Sequence, residues 1–107
     1  MLVLVNAVHI IGNIDKIENV LDKSKNIKYL KLNIATSNDD TGFVIINAVI
    51  KDKSLIKLML DKNYKKLIKK YLLWFSGYLT SNKETNELLF VINKLDNVAK
   101  EESLFGF

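Results

Sequence analysis

Apolar and polar residues alternate through positions 29–34, where Leu30, Leu32 and Ile34 fall on one side and Tyr29, Lys31 and Asn33 on the other. A period of two over six residues marks a strand with two unlike faces. A second run, residues 43–49, follows after Ser37, Asn38, Asp39, Asp40, Thr41 and Gly42, residue types that favour turns. The pair predicts a hairpin whose core side is Leu30, Leu32 and Ile34. Its other side joins an aromatic ring, a lysine and an amide. Those three groups suit stacking a base and holding a phosphate, and they equally suit a plain solvated strand face.

Around this hairpin the pattern predicts further strands. Residues 6–14 read as a long strand with Val8, Ile10 and Gly12 on one face. A glycine inside an apolar run indicates a bulge, a bend or a close approach of another backbone. His9, alone among aliphatics, reads as a packing or interface residue. Residues 15–25 are ambiguous: Ile14, Ile17, Val20 and Leu21 have helical spacing, yet a short strand running into a turn at 22–26 fits as well and is the preferred reading. After the hairpin comes the one helical region, capped by Asp52 or Ser54, with Leu55, Leu58, Met59, Leu67, Ile68 and Tyr71 as an interrupted apolar stripe and Asn63 ending a first helix. Lys62, Lys65, Lys66, Lys69 and Lys70 make the densest basic patch, either a solvated helix face or a phosphate contact. Residues 72–80 form the next strand, with Leu73, Phe75, Gly77 and Leu79 facing the core and Trp74, Ser76, Tyr78 and Thr80 opposite. A polar loop at 81–86 leads to a last strand at 88–92. The order is β-β-β-α-β-β: an all-β chain with one helical insertion, as in a small Greek-key barrel of five or six strands.

Composition narrows the chemistry. The 107 residues make one domain and contain no cysteine and a single histidine, so thiolate frameworks are excluded and no metal site or cofactor is expected. There is no apolar run of membrane-spanning length. The short apolar start lacks the basic region of a signal peptide, so a cytoplasmic, nucleoid-associated protein is expected. All sixteen basic residues are lysine and the net charge is +4, an excess that favours a polyanionic partner. Without arginine, bidentate reading of guanine in a duplex groove is not available. No phosphate-cradling glycine loop is present. Asp39 and Asp40 read as turn residues, and no nucleophile–base pair assembles around one histidine; an enzyme is not expected.

Several motifs, taken in order, resemble the bacterial single-stranded DNA-binding proteins. Asn6-Ala7-Val8-His9-Ile10-Ile11-Gly12-Asn13-Ile14 resembles that family's opening Asn-x-Val-x-Leu-Val-Gly-x-Leu, and Ile34-Ala35-Thr36-Ser37 its Leu-Ala-Thr-Ser. Residues 43–49 are similar to its aromatic-led third strand, and 69–79 to the strand closing on Gly77-x-Leu79. The resemblance spans about residues 4–98. It implies an OB-fold, a five-stranded Greek-key barrel over residues 1–100, assembly into homodimers or homotetramers, and sequence-independent binding of single-stranded DNA. In that family bases stack on aromatics and lysines track the backbone. Phe43 matches a stacking position. Three other aromatic positions fall at Asp40, Val49 and near Glu84, so Tyr29, Trp74 and Tyr78 are the expected substitutes. Lys31, Asn33, Asn47, Lys62 and Lys66 complete the expected nucleic-acid-binding set.

The family also carries a long linker and an acidic tip ending in phenylalanine. This chain has no such linker, but residues 101–107 hold Glu101 and Glu102 followed by Leu104, Phe105 and Phe107. They form a short tail similar in kind to the family's tip, which implies docking of replication or repair partners; a frayed end or packing on a neighbouring subunit fits the same residues. The alternative to a strand-binding protein is an OB-fold protein–protein module of a replication or restart complex with weak nucleic-acid binding. No ribose-reading motif separates RNA from DNA.

Overall fold

The computed structural model describes residues 4–69 and 71–100. Five strands and two helices follow one another as β1 (Val8–Leu21), β2 (Ile27–Asn38), β3 (Gly42–Ile50), α1 (Lys53–Leu60), α2 (Lys62–Ile68), β4 (Tyr71–Ser81) and β5 (Leu88–Lys100). The strands close into a barrel in the order β1-β2-β3-β5-β4. All pairings are antiparallel except β3 with β5, which run parallel over Ala48↔Phe90, Val49↔Val91 and Ile50↔Ile92. This is the expected Greek-key OB barrel.

Alternation decides the core. Leu30, Leu32 and Ile34 of β2 point inward beside Ala48 and Ile50 of β3, Leu73 and Phe75 of β4, and Phe90 and Ile92 of β5, all essentially without solvent contact. Ile56 and Met59 of α1 join the same cluster, so the helix closes the barrel. Its first turn is held by the Asp52 carboxylate, which accepts from the Leu55 amide at 2.9 Å; Asp52, not Ser54, is the cap.

Five expectations are corrected. Residues 15–21 are not a separate strand: β1 runs unbroken to Leu21, with register shifts at Ile14/Lys16 and Val20/Leu21. There are two short helices, and the break falls at Asp61 rather than Asn63. The Asp61 amide donates to the Leu58 carbonyl, and its carboxylate accepts from the Asn63 and Tyr64 amides, so one residue ends α1 and caps α2. Leu58 is exposed and Ile56 is buried in its place. β5 continues past Ile92 to Lys100 by pairing with β4 alone. On β4, Leu79 lies 37% exposed rather than in the core.

Other expectations hold. Gly12 is a close approach: a Cβ there would collide with the Ala35 carbonyl of β2. The turn before β3 is Asx chemistry, in which Asn38 Oδ1 accepts from the amides of Asp40 and Thr41 and from the Thr41 hydroxyl. Among the described residues no helix is long and apolar enough to cross a membrane. Lys70 and the tail residues Glu101, Glu102, Leu104, Phe105 and Phe107 lie outside the described residues.

Candidate nucleic-acid interface

The outer face of the β2–β3 hairpin carries Tyr29, Lys31 and Asn33 in line, because these positions alternate with the core residues of β2. Register places Asn47 of β3 opposite Asn33, and the Asn33 side-chain amide donates to Asn47 Oδ1 at 2.8 Å. The two amides hold each other flat across the sheet and leave one acceptor and one N–H₂ group for a ligand. On the other side of β2, register sets Lys16 opposite Asn33 and Glu18 opposite Lys31. Lys16, Ile17, Glu18, Lys31, Asn33 and Asn47 thereby line an open groove of about 440 Å³.

A second groove of about 400 Å³ adjoins it at Lys31. Tyr29, Lys31, Val49 and Lys51 form one wall, and residues 80–84 of the β4–β5 connection, with Leu89, form the other. Val49 points outward opposite Lys31 yet is only 3% exposed, which makes it the apolar floor of this groove. Four lysines thus border the two grooves: Lys16, Lys31, Lys51 and Lys83. Among the described residues the one ion pair is Lys94–Asp96, at 3.8 Å and largely exposed, so no close carboxylate among them neutralises these four. The β2–β3 face flanked by the β4–β5 loop is where OB-folds take oligonucleotides and oligosaccharides.

Phe43, Trp74 and Tyr78 stand elsewhere. Phe43, at the far end of β3, is 66% exposed and shares a small recess of about 230 Å³ with Ile11, Ala35 and Ser37. Trp74 of β4 lies opposite Ile11 of β1. Its indole N–H donates to His9 Nδ1 at 3.3 Å, with the rings edge to face and the Ser76 hydroxyl 3.0 Å from the same nitrogen. Tyr78 lies two repeats of the pleat further along β4, opposite Val91. Tyr29 pairs with Val20 and Trp74 with Ile11, so the two pairings lie nine residues apart along β1, a path of about 30 Å at ~3.3 Å per residue. The structure therefore brings Tyr29, Lys31, Asn33 and Asn47 together and leaves Trp74 and Tyr78 on the β1–β4 side. His9 is an aromatic partner within that second surface.

Helix α2 adds a third feature. Lys62 and Lys66 are exposed on it, but Lys65 and Lys69 are the ones that face β1. They border a cleft of about 310 Å³ between α2 and the β1 bulge, floored by Ile14, Ile17, Met59 and Ile68. Tyr64 anchors α2 against the core. Burial, and then the Asp96 carboxylate, push its phenol above the ordinary range. Among the described residues no group of three or more histidine, cysteine or acidic side chains could hold a metal.

Sequence reasoning missed Lys16, Lys51 and Lys83. Lys16 reaches the groove because the bulge after Ile14 resets the register of β1; Lys83 reaches it because the barrel closes. Neither event leaves a local signal.

No family model matches the chain, and no curated protein matches it by sequence. Solved structures share its fold. The mitochondrial single-stranded DNA-binding protein Rim1 of S. cerevisiae superposes with a TM-score of 0.66 at 15% identity, over 89% of this chain and 95% of that one. The N-terminal domain of PriB from Thermoanaerobacter tencongensis, a dimeric structure, gives 0.64 at 11% identity over 89% and 98%. The S. pombe Stn1–Ten1 complex gives 0.56 at 12% identity over 95% and 65%. At these identities the likeness is one of fold. The resemblance to bacterial single-stranded DNA-binding proteins extends to such structural neighbours and not to a family match.

Proposed function

We propose that this protein binds single-stranded DNA without sequence preference, by stacking bases on Tyr29 and neutralising phosphates with Lys16, Lys31, Lys51 and Lys83. The observation that carries the proposal is the pair of adjoining grooves on the β2–β3 face, which combine one aromatic wall, a cross-strand amide pair and four lysines. Stacking on a π-face is indifferent to base identity, and lysine contacts to phosphate carry no sequence information. The role is non-enzymatic, needs no cofactor, and belongs to cytoplasmic replication, recombination or repair. The fold shared with a mitochondrial single-stranded DNA-binding protein supports it.

Anisotropy of a labelled oligo-dT, titrated at several salt concentrations, tests the proposal. Neutralising four phosphates on a single strand gives a log–log salt slope of about −3. A slope near zero, or no binding at millimolar protein, would sink it. A matched RNA competitor measures the preference between the two backbones.

A second reading, a protein–protein module, has its own supporting observation. Ile11, Trp74 and Tyr78 are each more than 40% exposed on the β1–β4 side, away from the grooves. That surface suits assembly into a homodimer or homotetramer, or a replication partner. Quenching of Trp74 by protein concentration rather than by oligonucleotide would favour it.

A further inference from the structure

The cleft between α2 and β1 borders the proposed strand-binding face, with which it shares Lys16 and Ile17 on the β1 bulge. Its floor is aliphatic, formed by Ile14, Ile17, Met59 and Ile68. Its charged border is three lysines, Lys16, Lys65 and Lys69, against one aspartate, Asp15. A ligand for such a site is apolar in its body and acidic at one end.

The chain itself supplies that chemistry beside the cleft. β5 leaves the barrel at Lys100, which pairs with Tyr71 at the start of β4. Tyr71 follows Lys69, the C-cap of α2, by two residues. The next residues are Glu101, Glu102, Ser103, Leu104, Phe105, Gly106 and Phe107. Seven residues reach at most about 24 Å, enough to turn back over a helix end that lies alongside. The order of the residues also fits, with the two glutamates nearest the lysine border and the apolar side chains further on, over the floor. Lys65 and Lys69 stand in the last turn of α2 and just after it, where the helix carbonyls already favour cations.

We infer that residues 101–107 dock in cis into the α2–β1 cleft, with Glu101 and Glu102 against Lys65 and Lys69 and the Leu104 and Phe105 side chains on Ile14, Ile17 and Ile68. The contact needs no bound strand, so it can be tested on the protein alone.

The absence of native cysteine allows a direct test on the full chain. A Ser103→Cys variant carrying a nitroxide is expected to broaden the amide resonances of Ile14, Ile17, Lys65 and Lys69 selectively. Those of the turn residues Lys23, Ser24, Asp39 and Asp40, about six residues further along the strands from Ile17 and from Ile34 or roughly 20 Å, should keep the larger share of their intensity. The same labelled chain with Lys65→Gln and Lys69→Gln, or with Leu104→Ala and Phe105→Ala, is expected to recover the cleft intensities; retained dispersion in its spectrum shows that the barrel is intact. Uniform broadening, none, or broadening confined to the β2–β3 face would overturn the inference. So would cleft broadening that arises only when spin-labelled chain is mixed with isotope-labelled chain, because the occupant is then a second copy's tail.

Discussion

Gly77→Ala is expected to destabilise the barrel by about 3 kcal/mol, the upper end of the range for overpacking a tight interior. A Cβ at Gly77 would meet the carbonyl oxygen of Val91 well inside van der Waals contact, with the Val91 carbonyl carbon and the Ile92 Cα close behind. All three are backbone atoms, so no rotamer change relieves the clash. The only escape is to push β5 away from β4. Gly77 sits where the β4–β5 register shifts, and its neighbours across the gap, Val91 and Ile92, are two of the three β5 residues that pair with β3. Moving β5 there strains both of its seams. At roughly 4–8 °C per kcal/mol for a domain near this size, thermal unfolding followed by circular dichroism should show a midpoint lowered by about 12–24 °C. Ser76→Ala, one residue away on the half-buried outer face, serves as the control. A Gly77→Ala midpoint within about 2 °C of the parent, equivalent to less than ~0.5 kcal/mol, would show that the approach of β5 is not as rigid as its geometry implies.

Tyr29→Ala is expected to weaken oligo-dT binding by about 1–3 kcal/mol, the usual worth of one stacked base, or roughly 5- to 150-fold in Kd. Among the described residues Tyr29 is the one aromatic that borders the lysine-lined grooves. Trp74→Ala is expected to change the same affinity less than about twofold, since Trp74 stands about 30 Å away along β1 and is engaged by His9. Anisotropy titrations of both variants at one salt concentration make the comparison. Equal losses would mean that the strand wraps from β2 round to β4. A loss confined to Trp74→Ala would move the binding surface to the β1–β4 side.

The parts of this molecule that could be read from sequence are those in which one strand's pattern is undisturbed. β2 alternates strictly, so its core side and its outward Tyr29, Lys31 and Asn33 were all legible. β1 was not, because the register shift between Ile14 and Lys16 moves the apolar residues out of period two; Ile14, Ile17, Val20 and Leu21 then mimic a helix face. The far half of β5 was hidden by Asn93, Asp96 and Asn97, residues that usually mark turns but here sit on a strand held by one neighbour. Within the site, the grouping of Tyr29 with Lys31 followed from spacing alone. The separation of Tyr29 from Trp74 did not, since both are outward-facing and only the closed ring of strands decides how far round the barrel each one lies. Lys65 and Lys69 were among the lysines of the basic patch, but which of those lysines face β1 depends on how α2 lies against the bulge.

The parallel seam between β3 and β5 has a consequence for how the ring comes together. Ala48 and Phe90, its first partners, are 42 positions apart in the chain. The β2–β3 and β4–β5 hairpins, by contrast, close over short turns. Entropy favours the short closures first, and pairings between distant segments form slowly. The expected order of assembly is the β1–β2–β3 meander and the β4–β5 hairpin, then the helices, then the two long-range seams, β1–β4 and the three-rung β3–β5. Opening should run in reverse, and amide hydrogen exchange at 48–50 and 90–92 faster than along β2 would show it; protection there equal to that of β2 would not fit. Such a ring can part along one line while both hairpins, and the groove residues on β2, keep their shape.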